Sequence, residues 1–368
     1  MTILFLDQFD EVGGAQRSLL ELAPALREAG AETHAGLPGD GPFAKRLRAR
    51  GAHVHSIPLR PYSAGHKSLR DAAQFLADLW PLAKRIRELA EELNAAVVYV
   101  NGPRLMPAAA LARVPQPVIF HAHSELSALN GRHLAAAAVL ARRASVIAAT
   151  QRVAKQWGER ARVVYGGVEG PPAGWRRAPK AASPRIGLIG RFEPGKGQRE
   201  FVLAAAALAA GLPEAEFWLC GDARAGDAAA QRYKDKVVAL SPSQVKHLGW
   251  QDDVYEVLAH LDLLVVPSVS EGGIPYVVLD AFAARVPVLA TPAGDLEQVI
   301  ENGVNGFLLR SASPREIARR LRELLDEPGR LETAATNAHS LWRRRFTAAR
   351  FRREIWKTIQ QAAKARRS

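Results

Sequence analysis

Four polar residues in the second half of the chain are spaced as an anionic, hydroxyl-rich ligand would require: Arg191, Lys196, Glu271 and Asp280. Arg191 directly follows Gly190 at the end of an apolar run, and Lys196 stands between two glycines just before a helical pattern. A fixed guanidinium and an ammonium beside a helix N-terminus can neutralise a diphosphate. Glu271 opens a loop, Gly272-Gly273-Ile274-Pro275, that feeds a second helical stretch carrying Asp280. Backbone N–H groups and the helix dipole favour negative charge at such a loop. Carboxylates are out of place there unless they grip hydroxyls, which a sugar and a ribose both supply. The arrangement suggests a nucleotide-sugar site. The Lys196 loop is not a phosphate-binding Walker loop, whose Gly-x-x-x-x-Gly-Lys-Ser/Thr order is absent.

These residues need strands to carry them. Apolar runs alternate with helix-length stretches along the whole chain. In the first half the runs are Ile3–Leu6, Thr33–Leu37, His53–Ile57, Val97–Val100, Val118–His121, Val146–Ala149 and Val163–Tyr165. A helix is expected over about 15–29, and a long amphipathic one over roughly 68–93, with Pro81 as its kink or break. The run Leu134–Leu140 reads as a buried helix. The pattern breaks in the Pro/Gly/basic stretch 168–184, the best linker in the chain. It restarts with Arg185–Ile189, Glu216–Cys220, Val245–Leu248, Leu263–Val266, Val286–Ala290 and Gly306–Leu308. Strands alternating with helices imply parallel sheets covered on both faces. The expected fold is α/β, two Rossmann-like, doubly wound parallel-sheet domains facing a cleft, with ligands outside the carboxyl ends of the strands. The boundaries read 1–170 for the first domain, 171–184 for the linker and 185–346 for the second domain, which carries the nucleotide-sugar residues. A C-terminal helix over about 347–368 is free to pack back on the first.

Composition fits this organisation. The chain has 368 residues, 48% hydrophobic and 24% charged, as expected for two globular domains. A single cysteine, Cys220, excludes an internal disulfide and a cysteine-based metal site. The N-terminus meets Asp7 at once and reads as a strand, not a leader. No apolar stretch is long enough to span a bilayer. A cytoplasmic protein is expected. The net charge of +13 concentrates at the end, with ten Lys or Arg against one acid, Glu354, between Arg343 and Arg367. Phe351, Ile355 and Ile359 form one apolar stripe there. One reading is a terminal helix packed on the body with a solvated basic face. The sharper one is peripheral contact with an anionic membrane, at its inner face, or with an anionic glycolipid. No nucleic-acid recognition signature accompanies the charge, so no nucleic-acid partner is expected.

Several ordered motifs resemble glycosyltransferase family 4, retaining enzymes of the GT-B fold. These are Gly190-Arg-Phe-x-Pro-x-Lys-Gly197, Leu248-Gly-Trp-Gln-Asp-Asp-Val254, Pro267-Ser-Val-Ser-Glu-Gly272 and Asn302-Gly-Val-Asn-Gly306, with looser matches at Gly13-Gly-Ala15, His121-Ala-His-Ser124 and Val164-Tyr-Gly-Gly-Val168. The resemblance implies roles. Arg191 and Lys196 bind the donor diphosphate and stabilise the leaving group, with Gly190 beside them. Glu271 meets the sugar hydroxyls, Gly272, Gly273 and Ile274 approach sugar and phosphate through their backbone, and Asp280 holds the ribose. Gly14 lets the first domain's loop close over the diphosphate. A histidine near the reacting carbon is taken as His123. His121 and His123 lie at one strand end, where alternation is expected to let only one face the cleft. The sequence departs from the family by placing eight residues, not seven, between Glu271 and Asp280, by Asp for Glu at position 280, by Gly166 for Asn and by Gln16 for Glu.

The implied activity is metal-independent, retaining hexosyl transfer from a nucleotide-diphosphate sugar to a glycan or lipid-linked acceptor, in bacterial cell-envelope polysaccharide synthesis, with no cofactor. Asp252-Asp253 reads as a helix cap instead of a metal motif. Two alternatives keep the fold: a sugar-nucleotide epimerase or hydrolase, and a catalytically silent binding or scaffold protein. The acceptor loops, around 38–70 and 124–135, carry no signature.

Overall fold

The computed structural model describes residues 1–60, 69–126, 132–224 and 226–365. Parts of both acceptor loops, including His66, lie outside that set. The chain divides into two units, Met1–Gly166 with Ala348–Ser368, and Gly167–Thr347.

In the first unit the order is β1 (Thr2–Leu6), α1 (Gly14–Glu28), β2 (Glu32–Leu37), α2 (Pro42–Ala49), β3 (His53–Ser56), α3 (Leu69–Glu92), β4 (Val97–Val100), α4 (Met106–Leu111), β5 (Val118–Ala122), α5 (Arg132–Arg142), β6 (Ser145–Ala148), α6 (Gln151–Lys155) and β7 (Ala161–Val163). The strands form one parallel sheet, β3-β2-β1-β4-β5-β6-β7. Both faces are buried, which is why the central strands are unbroken apolar runs. Ile3 and Phe5 join one core, whereas Leu4 and Leu6 join the other.

The second unit runs β8 (Arg185–Ile189), α7 (Gln198–Leu208), β9 (Glu216–Cys220), α8 (Ala228–Leu240), β10 (Val245–Gly249), α9 (Val254–Leu258), β11 (Leu263–Val266), α10 (Tyr276–Ala283), β12 (Val288–Ala290), α11 (Leu296–Val299), β13 (Phe307–Leu308), α12 (Pro314–Leu325) and α13 (Pro328–Arg345). Its parallel sheet has the order β10-β9-β8-β11-β12-β13. The chain therefore reverses direction across the sheet at β8, whose neighbours are β9 and β11. The Pro/Gly-rich stretch is fastened to this unit: Ala178 N–H donates to the Ala259 carbonyl at 2.9 Å and the Trp175 indole to the Tyr255 carbonyl at 3.1 Å.

The last helix, α14 (Ala348–Ala365), belongs to the first unit. Its stripe of Phe351, Ile355 and Ile359 is fully buried in the core with Phe5 and Leu19. Arg353 and Lys357 stay exposed, whereas Arg350 is mostly covered, donating to the Tyr165 carbonyl at 2.9 Å and pairing with Glu354.

Local differences from the sequence reading have physical causes. Pro81 lies inside an unbroken α3, on its exposed side, while Leu82, Ala83, Ile86 and Leu89 anchor the helix to the core. Tertiary burial outweighs the lost backbone bond. Strand β12 starts at Val288, because Val286 N–H still closes α10 on the Ala281 carbonyl and Pro287 has no donor. Strand β7 ends at Val163, so Val164 and Tyr165 fall beyond it. Helix α5 buries Ala135, Ala138 and Val139 but leaves Leu134 and Leu140 more than half exposed, so the helix is one-sided, not buried.

Candidate active site

Three loops at the carboxyl ends of β8, β11 and β12 are fastened to one another. Gly197 has φ +80, and a Cβ there would lie 2.4 Å from the Pro267 carbonyl oxygen. Val269 N–H donates to the Gly195 carbonyl at 2.9 Å, tying the Lys196 loop to the segment before Glu271. Gly294, φ +63, sits against the Glu271 loop so closely that a Cβ would be 2.5 Å from the Gly273 carbonyl oxygen. The Thr291 hydroxyl donates to the Ser268 carbonyl. Only glycine satisfies both the left-handed backbone and the close approach at these positions.

This fastening brings Lys196 and Glu271 together. Lys196 Nζ donates to both carboxylate oxygens of Glu271, at 2.8 Å each. The Glu271 side chain is 9% exposed and that of Lys196 26%, so the pair sits half-sheltered at the loop surface. Arg191 follows β8, where its carbonyl accepts from Gln198 Nε2 at 2.6 Å, and its guanidinium pairs with Glu193 at 3.2 Å. Gly190 N–H donates to the Cys220 carbonyl, and Gly221 packs against Gly190. Gly272, Gly273 and Ile274 lie at or near the surface just before α10.

Asp280 is placed differently from its neighbours. It lies on α10, only 1% exposed, and accepts a hydrogen bond from the Tyr255 hydroxyl at 2.9 Å. Glu271 stays in the loop, whereas Asp280 lies within the helix. Asp253 caps α9 by accepting from Tyr255 N–H at 2.8 Å.

The first unit has its own polar centre at the carboxyl ends of β1, β4 and β5. Asp7, fully buried, accepts from Gln16 Nε2 at 2.9 and 3.1 Å, from Asn101 Nδ2 at 2.6 Å and from Phe9 N–H at 2.9 Å. Asn101 Oδ1 lies 2.7 Å from His123 Nε2. Because Asn101 spends its amide N–H on Asp7, its carbonyl faces the imidazole, so His123 carries its proton on Nε2. His121 Nδ1 pairs with the Tyr99 hydroxyl at 2.7 Å, and the two histidine rings lie tilted at 38° with centroids 3.8 Å apart. Alternation does not separate them, since residues two apart on a strand share a face. What separates them is depth: His121 is buried and His123 half-buried. Gly14 is the first residue of α1, and Gln16 Oε1 accepts from Gly13 N–H at 3.2 Å.

Burial pushes the Asp7 carboxyl up to about 6, against the opposing pull of the Asn101 and Gln16 hydrogen bonds. Burial also lowers His123 to about 3 and His121 well below the ordinary range, so both rings are neutral near pH 7. The Asp7 shift has a testable sign. The folded state holds the proton more tightly than the unfolded chain, so this contribution to stability is full below pH 3.8 and lost as pH rises through 6. Urea unfolding of wild type and Asp7→Asn at several pH values is expected to diverge by up to about 3 kcal/mol between pH 4 and 7, wild type losing ground as pH rises. Parallel curves would mean that Asp7 does not titrate in this window.

Sequence reading did not single out Asp7, Asn101, Tyr99 or Tyr255, nor the packing glycines Gly221 and Gly294. Asp7 and Asn101 each had a signal: each is the first polar residue after an apolar strand, Leu6-Asp7 and Val100-Asn101.

Comparison with known proteins adds to this geometry. The family described as glycosyl transferases group 1 matches residues 183–327, and the glycosyl transferase 4-like domain matches residues 13–169. The chain belongs to the family 4 type of GT-B glycosyltransferases. Among solved structures, the glycosyltransferase resembles Anabaena HepE in complex with UDP, with a TM-score of 0.82 and 25% identity over 98% of this chain and 100% of that one. HepE has also been crystallised with UDP-glucose. A D-inositol 3-phosphate glycosyltransferase of Thermobispora bispora is 33% identical over 182 residues, 45% of this chain and 42% of that protein. The lipopolysaccharide core biosynthesis glycosyltransferase LpsE of Rhizobium meliloti is 27% identical over 159 residues, 43% and 44% respectively. The glycosyltransferase thus spans less than half the length of these curated relatives in its matches. No helix among the described residues is long and apolar enough to cross a membrane.

Proposed function

We propose that this glycosyltransferase moves a hexose from a UDP-hexose to a glycan or lipid-linked acceptor of the bacterial cell envelope, with retention at the anomeric carbon and without a metal. The observation that carries the reading is the Lys196–Glu271 pair, held at the joined loops before α7 and α10. In the proposed cycle the donor diphosphate takes Lys196 and Arg191 as counter-charges. Glu271, released from Lys196, turns to the sugar hydroxyls. Charge developing on the departing diphosphate is met by the two cations and by backbone N–H groups. His123, neutral and fixed by Asn101, offers a hydrogen-bonding edge to the sugar instead of a charge. Asp280 holds the ribose once it exchanges the Tyr255 hydroxyl for the donor's. The UDP and UDP-glucose complexes of HepE support the choice of base and hexose.

Incubation with UDP-glucose and an undecaprenyl-linked glycan, followed by NMR of the anomeric coupling, tests this. Acceptor-dependent release of UDP with an α-linked product is expected. A β-linked product overturns retention, and equal UDP release without acceptor makes the protein a hydrolase.

Peripheral membrane contact belongs to the same proposal in a narrowed form. The apolar stripe of α14 is used in packing, so only its charges, such as Arg353 and Lys357, are left to meet anionic lipid. Such binding is expected to vanish at high salt, and failure to pellet with anionic vesicles at low salt would refute it.

A further inference from the structure

The opposite end of the first sheet carries a second cluster of potential ligands, unrelated to the donor chemistry. Strand β2 starts Glu32-Thr-His34 and strand β3 starts His53-Val-His55. The two strands are parallel, with His34 beside His53 and Gly36 beside His55. Period-two alternation puts Glu32, His34, His53 and His55 on one face. Gly36 adds no side chain there, and Ile57, Leu6 and Leu89 close over it. His34 Nε2 is 3.1 Å from Glu32 Oε1, and His53 Nε2 is 3.8 Å from the same oxygen. These three donor atoms lie within 4.8 Å of one another.

We propose that Glu32, His34 and His53 bind a zinc-class divalent transition metal that bridges β2 to the edge strand β3. A zinc ion sits about 2.0–2.1 Å from nitrogen and oxygen ligands, so tetrahedral donors lie roughly 3.3 Å apart. The Glu32–His34 separation already meets this. His53 and Glu32 have side chains 62% and 57% exposed and can close the remaining gap by rotation. His34 is the buried anchor. Its other nitrogen, Nδ1, lies 2.9 Å from His55 Nε2. With metal on Nε2, His34 keeps its proton on Nδ1 and donates it to His55, the outer-shell partner that ligating histidines usually have. His55 Nε2 is the acceptor in that arrangement. Arg85 lies toward Glu88 and Glu92 at 3.4 and 3.5 Å, which tempers its repulsion of a cation. Imidazole and carboxylate ligands with one position left for water suit Zn²⁺. Because the cluster lies at the strand starts, while Asp7, Asn101 and His123 follow the strand ends, the metal would brace the sheet edge and take no part in transfer.

The test is calorimetric titration of untagged, full-length protein with ZnCl₂, together with Co²⁺ absorption spectra. One equivalent is expected to bind, with a tetrahedral Co²⁺ visible spectrum and a raised thermal unfolding midpoint. His53→Ala and Glu32→Gln, both at exposed positions that a folded variant tolerates, should each weaken binding at least about tenfold. His55→Ala should weaken it about 10–100-fold through orientation alone. Nucleotide binding should not change in His53→Ala. Absence of stoichiometric binding, or binding unaltered in both His53→Ala and Glu32→Gln, would overturn the proposal.

Discussion

Replacing Lys196 by Met is expected to lower kcat by about 10²–10³-fold, the usual cost of removing one preorganised stabiliser of developing negative charge. The same variant should lose about 2 kcal/mol of stability, because the Glu271 carboxylate, 9% exposed, is left without its ammonium partner. Glu271→Gln is expected to reduce turnover on a similar scale, since a neutral amide neither orders Lys196 nor grips a hydroxyl as a carboxylate does. The double variant separates the two effects. Stability should largely recover when both charges are gone, since no unpaired charge remains. Turnover should not recover, because the leaving group still lacks one of its two cations. Urea unfolding and initial rates on the same four proteins read both cycles. Recovery of turnover in the double variant would mean that the pair is a structural clasp only.

The second large effect is expected at a residue that touches no ligand. Gly221 follows β9 with φ +136, and a Cβ placed there would lie 2.0 Å from the Gly190 carbonyl oxygen. The obstacle is backbone, not a flexible side chain, and it is the backbone that positions Arg191. Gly221→Ala is therefore expected to cost about 3 kcal/mol or more, combining an unfavourable φ with displacement of Gly190. Donor affinity should fall with it. Gly249→Ala is the matched control: its φ of +67 is also disfavoured, but nothing lies within 4 Å of the added carbon. It should cost only about 1–2 kcal/mol. Equal urea midpoints for the two variants would show that the contact with Gly190 does not matter.

Much of this was legible because each site residue of the second unit is tied to a motif in its own loop. Arg191 and Lys196 follow a strand and precede a helix, and so does Glu271, so the carboxyl-end rule placed all three at one end of the sheet without knowledge of its strand order. What the sequence could not supply was that loops 75 residues apart meet. That depends on β8 lying between β9 and β11, which no local pattern encodes. The Asp7–Asn101–His123 chain was hidden for the same reason. β1, β4 and β5 are consecutive in the sheet but scattered in the sequence, and a single polar residue after a strand is unremarkable until three of them converge. The fate of Asp280 was equally out of reach. Its burial under the Tyr255 hydroxyl depends on how α9 packs on α10, a tertiary fact. The break expected at Pro81 and the reading of the His121/His123 pair failed for opposite reasons. Propensity was overruled by burial at Pro81. At the histidines the period was misjudged, since a spacing of two keeps side chains on one face.

Donor recognition is tested most directly by calorimetric titration of wild type and Arg191→Ala with UDP, GDP, ADP and CMP. UDP is expected to bind in preference to the others. Its affinity should fall about ten- to a hundredfold in Arg191→Ala, as loss of a charge-assisted contact to the diphosphate requires. No binding of any nucleotide by the wild type, or UDP binding equally tight in the variant, would contradict the assignment of this site to a nucleotide-sugar donor.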